Sequence, residues 1–378
     1  MNDTQAPEKK RVLFVARDDG GCGFFRCKQP AEFLTRSGLA IGDFAFQNPT
    51  AEQLHEADLV ILQNTGSVEA STLAKYMLEN KIPFMTEFDD FVHHISPHNE
   101  GGFHTWNPST LFLHRAMEVS RMAAGMTVST PQLAREYFPY NQNVFVVPNY
   151  LDKDRWEQPI VKRTDGKIRI GWCGGNAHGD DLQMISKVLE KIVKERDGKV
   201  VFETMGMTRQ ELTGVFPMPP TTDDSCPSCG FEGTLHHHPG ERLEDYPTVL
   251  AGRGWDIAVA PVIDNAFGNA KSDLKLKEYS AIGLPVVASP VAPYREAQED
   301  GCAVILARTF EEWYTALNDL IDSEEKRREM VTQNKEWVGR YWIQDNILKT
   351  WTIYEMMIKL AESTLGDKAT RIKRMVGI

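Results

Sequence analysis

The sequence predicts an α/β protein of two domains, each a mostly parallel sheet wound with helices. Three observations carry this. Apolar runs of strand length alternate with segments of helical periodicity along most of the chain. A glycine-rich turn follows one such run at Arg17 to Arg26 and another at Gly174 to Asp181, so the pattern opens twice. Between the openings, charged residues from Lys153 to Lys167 mark a boundary, and 378 residues suffice for two domains with full cores.

Composition narrows the class. The chain is 42% hydrophobic and 25% charged, as soluble globular proteins are. A formal charge of −11 gives no general attraction to nucleic acid or anionic membrane. No apolar run approaches the length of a membrane span and residues 1–11 are polar, so neither stable membrane insertion nor a signal peptide is expected. Six irregularly placed cysteines suggest reduced thiols and a cytoplasmic protein rather than a disulfide framework.

Residues 1–10 read as a disordered leader. Arg11 to Ala16 is the first buried strand, and Gly20, Gly21 and Gly23 follow it in a turn before a helix carrying Pro30, Phe33 and Leu34. This is a Rossmann-like opening without the spacing of the dinucleotide fingerprint, and as a bare glycine loop it is equally a tight turn. Strands at Ala57 to Gln63 and Ile82 to Glu87 flank a helix over Glu69 to Glu79.

The second strand ends in Glu87, Asp89 and Asp90, and carboxylates at the C-terminal end of a parallel strand lie where open α/β sheets bind ligands. His93, His94, His98 and His104 follow in an irregular stretch. An acceptor pocket, a metal site and a polar loop with capping aspartates all fit that pattern; the histidine spacing matches no closed tetrahedral set.

Leu111 to Ala124 is a helix, Gly125 to Thr130 a strand, and Pro131 opens another helix. After the boundary, Ile168 to Cys173 is a strand, followed by the turn Gly174, Gly175, Asn176, Ala177, His178. Its exposed amides suit an anion at the start of a helix that carries Leu182, Ile185, Val188, Leu189 and Ile192 at helical spacing. His178 is the only nearby potential cation, and a capping or solvent role is its plainer alternative.

Residues 207–246 are Pro-rich and irregular, with Cys226 and Cys229 in one CxxC and His236 and His238 beyond. A structural zinc on these four, or an unliganded surface loop, are both open. Further strands begin at Trp255 and Cys302, helices run from Glu311 and Ser323, and a last helix spans Asp345 to Leu365. A basic tail (Lys368, Arg371, Lys373, Arg374) is the best local candidate for a polyanion.

The stretch from Asn269 to Ser289 concentrates the chemistry. It begins polar and basic, and from Leu274 reads as a short helix with Leu274, Leu276, Tyr279 and Ile282 as apolar points, which Gly283 and Pro285 stop before the apolar strand Val286 to Ala288. A helix begun near Lys271 would place Lys271, Lys275 and Glu278 on one side. Two cations and a carboxylate at a helix N-terminus suit a nucleoside diphosphate, the lysines and amides on phosphate and the carboxylate on ribose hydroxyls. A solvated helix with one Lys–Glu pair is the simpler reading of the same pattern.

This stretch, with its "Gly-Leu-Pro-Val-Val-Ala" ending, resembles the donor signature of the retaining family 4 (glycosyltransferase group 1) enzymes, which have the GT-B fold. Val147-Pro-Asn-Tyr-Leu-Asp152 resembles that family's domain junction. Glu278 matches the second of the family's two glutamates, while the first falls at Ala270, so Asp264, Asn265 or Asn269 is expected to substitute.

The resemblance implies two Rossmann-like domains facing a central cleft: an acceptor domain, 1–150, to which a C-terminal helix (345–378) crosses back, and a donor domain, 151–344. It implies a hexosyltransferase moving a sugar from a nucleotide-diphosphate sugar to an acceptor hydroxyl with retention, without a required metal. Lys271, Lys275, His178 and Asp90 are the implied catalytic residues. Gly174, Gly175, Asn176, Asn269 and Glu278 join the two lysines around the donor, and Gly21, Gly23, Arg26, Glu87, Asp89 and His93 line the acceptor side. The acceptor class stays open between a glycan, a small molecule and a hydroxymethylated pyrimidine in DNA, as in phage enzymes. A nucleotide-sugar binding module that has lost catalysis is the alternative outside enzymes.

Overall fold

A computed structural model of the chain describes residues 9–95, 100–213, 215–216 and 235–365. His98, Cys226, Cys229 and the basic tail, singled out in the sequence, lie outside these residues. The chain divides into two compact units. Unit 1 comprises residues 1–93, 104–150 and 343–378; unit 2 comprises residues 94–103 and 151–342.

Unit 1 is built on β1 (Arg11–Ala16), β2 (Ile41–Phe46), β3 (Leu59–Gln63), β4 (Phe84–Phe88), β5 (Gly125–Val128) and β6 (Val144–Val146). They form one parallel sheet in the order β2-β1-β3-β4-β5-β6. Every residue of β3 and β4 is buried, and both are mostly apolar, with Gln63, Thr86 and Glu87 as the polar exceptions. Edge strand β2 buries only Ala45, so its sequence carries a weak strand signal.

One face of this sheet (Val12, Phe14, Ile61) packs on Trp351, Tyr354 and Ile358 of the helix Ile343–Leu365. The Phe14 and Tyr354 rings meet edge-on at 5.8 Å. The opposite face, with Leu13 and Val60, packs on Leu54 and Met77.

Unit 2 repeats the plan with β7 (Ile168–Cys173), β8 (Val200–Met205), β9 (Leu235–His238), β10 (Ile257–Ala260), β11 (Val286–Ala288) and β12 (Val304–Leu306). Their order is β12-β11-β10-β7-β8-β9, all parallel. Leu182, Ile185, Leu189 and Ile192 of the helix Gly179–Glu195 cover one face together with Trp313 and Leu317. In each sheet the chain turns from one side of its first strand to the other, beside β1 in unit 1 and beside β7 in unit 2. That reversal is where doubly wound sheets open a crevice.

Two expected ligand residues belong instead to the core. Arg26, 4% exposed, and Glu87, 2% exposed, meet at 2.9 and 3.1 Å through Nε and Nη2. Arg26 Nη1 also donates to Val147 O (2.6 Å) and Asn149 Oδ1 (2.8 Å), and Thr127 Oγ1 donates to Glu87 (2.9 Å). The pair thus ties the helix after β1 to β4, β5 and the Pro-Asn junction that ends unit 1. Burial holds the Glu87 carboxyl above its ordinary range, and Arg26 draws it back.

His238 takes part in a polar network of unit 2. Its Nε2 lies 3.2 Å from Glu203 and its Nδ1 2.9 Å from Arg253, so both ring nitrogens are engaged. His236 flanks the same carboxylate at 3.7 Å, which Arg169 and Trp255 also contact.

Removing one member of a buried ion pair strands the other. Arg26→Met is expected to cost about 3–5 kcal/mol in urea unfolding, and Glu87→Gln on top of it to recover a large part. A loss below about 1 kcal/mol, the range of exposed pairs, would contradict the structural role.

Candidate functional site

The strands β7, β10 and β11 deliver their C-terminal ends to one place in unit 2. From β7 the chain enters Gly174 and Gly175, passes through a short helical turn, Asn176–His178, and starts the helix Gly179–Glu195. Gly175 is exposed, with open space where a side chain would stand. His178 is held by Asp181, one helical turn on, with Nδ1 2.9 Å from Oδ2. The other Asp181 oxygen accepts from the amide of Ile263, 2.9 Å away, just after β10.

The stretch after β10 forms two helices, the second of them starting at Leu274 as its apolar points predict. Ala266–Ala270 is capped by Asn265, whose side chain accepts from Gly268 N. Lys271 then leaves helical geometry (φ −60°, ψ 163°), and a second helix, Leu274–Ile282, starts after Asp273. Lys271 therefore sits in the break, while Lys275 and Glu278 stand one turn apart on the second helix. Gly283 ends that helix in the left-handed region (φ 84°), as expected.

The second helix is sunk into the unit, buried from Leu276 through Ile282. Its charges are consequently partnered. Lys277, 1% exposed, reaches Asp273 at 2.6 Å. Lys275 Nζ donates to the carbonyl of Cys173, the residue before the glycine turn, and lies 5.6 Å from the Trp172 ring centroid. Glu278 accepts from the Tyr246 hydroxyl at 3.1 Å. Tyr246 also contacts Cys173 Sγ (2.9 Å), and Tyr279 Oη accepts from Cys173 N (3.0 Å).

The charges interact. Lys271 foremost, then burial and Lys275 push the His178 pKa down to about 4, so the imidazole is neutral at pH 7. Burial raises Glu278 to about 7, opposed by Lys275 and Tyr246. A carboxyl raised from 4.5 binds its proton more tightly folded than unfolded, so its contribution to stability is lost as pH rises from 4.5 through about 7.

Asn269 carries structural bonds: it donates to Asp264 (2.7 Å) and accepts from Ala292 N (2.8 Å). Ala270, where the resembling family has glutamate, is fully buried.

In unit 1 the first glycine turn is already filled. Gly20 N and Gly23 N both donate to Asp18 Oδ1, at 3.0 and 3.1 Å. A side chain at Gly23 would meet Asp18 O at 1.9 Å, so the close approach there is intramolecular. Gly21 has open space around it. Asp89 and Asp90 lie beside Cys22, with one possible ligand atom from each within 4.8 Å of the others. Burial and then Asp90 raise Asp89 to about 7. His93 packs among rings, stacked on Tyr140 at 5.2 Å.

Three residues of the unit 2 cluster escaped the sequence. Asp181 was legible as a partner three residues after His178 at a helix start. Lys277 was legible only as an i,i+4 pair with Asp273, without its burial, and Tyr246 carries no local signal because its partner lies 32 residues away.

No protein-family model matches the chain, and no curated protein sequence matches it. Solved structures do. Sucrose-phosphate synthase from Thermosynechococcus elongatus shares 10% identity at a TM-score of 0.64, covering 93% of this chain and 100% of its own. HepE of Anabaena, solved with UDP and glucose, shares 15% identity at 0.61, covering 91% and 100%. TarM of S. aureus shares 12% identity at 0.56, covering 80% of this chain, which spans about half the length of TarM (55%). These likenesses establish the GT-B fold.

Lys271→Gln removes the largest influence on His178. Proton NMR titration is expected to move the imidazole from about 4 toward its usual 6.5. An unmoved pKa would contradict the placement of Lys271 beside it.

Proposed function

We propose, from a GT-B fold with this cluster at the switch point of unit 2, that the chain is a glycosyltransferase taking a sugar from a nucleoside-diphosphate sugar. The observation that carries the reading is the convergence of Lys271, Lys275, His178 and Glu278 beside the turn Gly174–Gly175. Anabaena HepE has been solved with UDP and with UDP-glucose, which supports a nucleotide-sugar donor for a chain of the same fold.

In this reading Lys271 and Lys275 meet the charge that develops on the leaving diphosphate, and the amides of Gly175 and Asn176 take phosphate oxygens. Asp180 and Asp181 in the first turn weaken the pull of that helix N-terminus on anions, which places the electrostatic task on the lysines. With the lysines meeting that charge, no metal is assigned a role. Neutral His178, oriented by Asp181, presents its second nitrogen to the phosphates or the sugar.

Glu278, half-ionised near pH 7 while empty, becomes a full carboxylate when ribose hydroxyls donate to it. Asp89 and Asp90, just beyond β4, are assigned to the acceptor hydroxyl. Retention at the anomeric carbon rests on the resemblance of residues 269–289 to the retaining family, and product anomer by NMR tests it. The buried Ala270 favours one competing reading, a donor-binding protein without transfer. Slow hydrolysis of a bound nucleotide sugar without acceptor would oppose that.

Lys275→Ala is expected to lower turnover by roughly 100-fold or more, as loss of one donor to a developing anion does. Near-unchanged kinetics would remove Lys275 from the site. Glu278→Ala is expected to weaken UDP by about tenfold, the worth of a charged hydrogen bond, and to leave pyrophosphate affinity unchanged. Equal losses on both ligands would contradict a ribose contact.

A further inference from the structure

Unit 1 holds a cavity of about 380 Å³ at the C-terminal ends of β1 and β3, the point where its strand order reverses. Its lining combines aliphatic residues, including Val15, Leu62 and Leu73, with four carboxamides, Gln47, Asn48, Gln63 and Asn64. Among the described residues no aromatic ring lines it. One cation and one anion, Arg17 and Glu69, stand in the lining, so the pocket has no net charge. The Arg17 guanidinium lies over the Phe112 ring, 4.2 Å from its centroid.

Two further observations point to a ligand. Gln63 is 4% exposed, and its Nε2 has no acceptor among the described residues. The amide orientation is set, because Oε1 accepts from the backbone N–H of Arg17 at 3.1 Å and a flipped amide would oppose donor to donor. A buried N–H without an acceptor is costly, and the cavity Gln63 lines is a place from which an acceptor can come. Moreover, Gln47 (φ 61°) and Asn64 (φ 48°), each directly after its strand, hold left-handed backbone that residues other than glycine rarely adopt. Such outliers cluster at ligand clamps.

We propose that this cavity binds a neutral, hydroxyl-rich ring, a monosaccharide unit. A carboxamide offers one donor and one acceptor side by side, and neighbouring sugar hydroxyls each donate and accept in turn. Phosphate would find only Arg17 as a countercharge, with Glu69 opposing it. A nucleobase is disfavoured because bases are held by stacking on rings, which this lining lacks. In the transferase reading such a ring belongs to the acceptor or product; binding by the protein alone tests the pocket without that reading.

Saturation-transfer NMR on the full chain with glucose, galactose, mannose and N-acetylglucosamine at millimolar concentration tests it. At least one sugar is expected to bind, unaffected by inorganic phosphate. Gln63→Glu keeps the acceptor for Arg17 but replaces the unpartnered donor, and is expected to weaken that sugar about tenfold or more. Asn48→Ala, at an exposed position, is expected to weaken it severalfold with the melting temperature unchanged. No signal with any of the four sugars, competition by phosphate, or equal binding by both variants would overturn the proposal. UDP binding, measured in parallel on wild type and both variants, stays intact if only this pocket is lost. Its absence in wild type would count against the donor reading instead.

Discussion

Unit 2 depends on a short helix whose charges are inside. Leu274–Ile282 is buried from its third residue onward, yet it carries Lys275, Lys277 and Glu278. A lysine at 1% exposure is supported by Asp273, at the helix start, 2.6 Å from Lys277, and by the Tyr341 ring, 4.1 Å from its ammonium. With Lys277 anchored, Lys275 and Glu278 are held one turn apart against β7, where Cys173 receives both Lys275 and the two tyrosines. Glu278 and His178 owe their shifted titration to this arrangement, one through burial and the other through the neighbouring lysines.

Much of the fold was legible because parallel sheets buried on both faces demand continuous apolar strands. β10 is wholly apolar, β3 is apolar up to Gln63 and β1 after Arg11, while β4 and β7 stay mostly apolar around Thr86, Glu87 and Arg169. The strands without that pattern are edges. β2 buries one residue in six, and in β9, Leu-His-His-His, His236 and His238 serve the polar network around Glu203. Local pattern carries burial, so an element built on long-range polar contacts leaves little trace in it.

The site was legible in part for the same reason. Two glycine turns looked alike in sequence, but only packing distinguishes them. Asp18 folds its carboxylate onto the amides of Gly20 and Gly23, occupying the place an anion would take, whereas Gly175 stays open. Arg26 and Glu87 read as ligand residues because charge after a strand usually faces solvent or substrate. Their 61-residue separation hid that they satisfy one another. The helix from Leu274 was legible in its apolar points, whereas the short helix Ala266–Ala270, which leaves Lys271 in a break, carries too few residues to show a period.

The account's central claim is that the cluster beside Gly174 and Gly175 holds a nucleoside diphosphate. Thermal unfolding of wild type and Lys275→Ala with UDP, GDP, ADP, dTDP and CDP tests this most directly, because a ligand that binds only the folded state raises the melting temperature by mass action. The account predicts a rise with at least one of them in wild type and a much smaller rise in the variant. No shift with any diphosphate, or the same shift in both proteins, would contradict it.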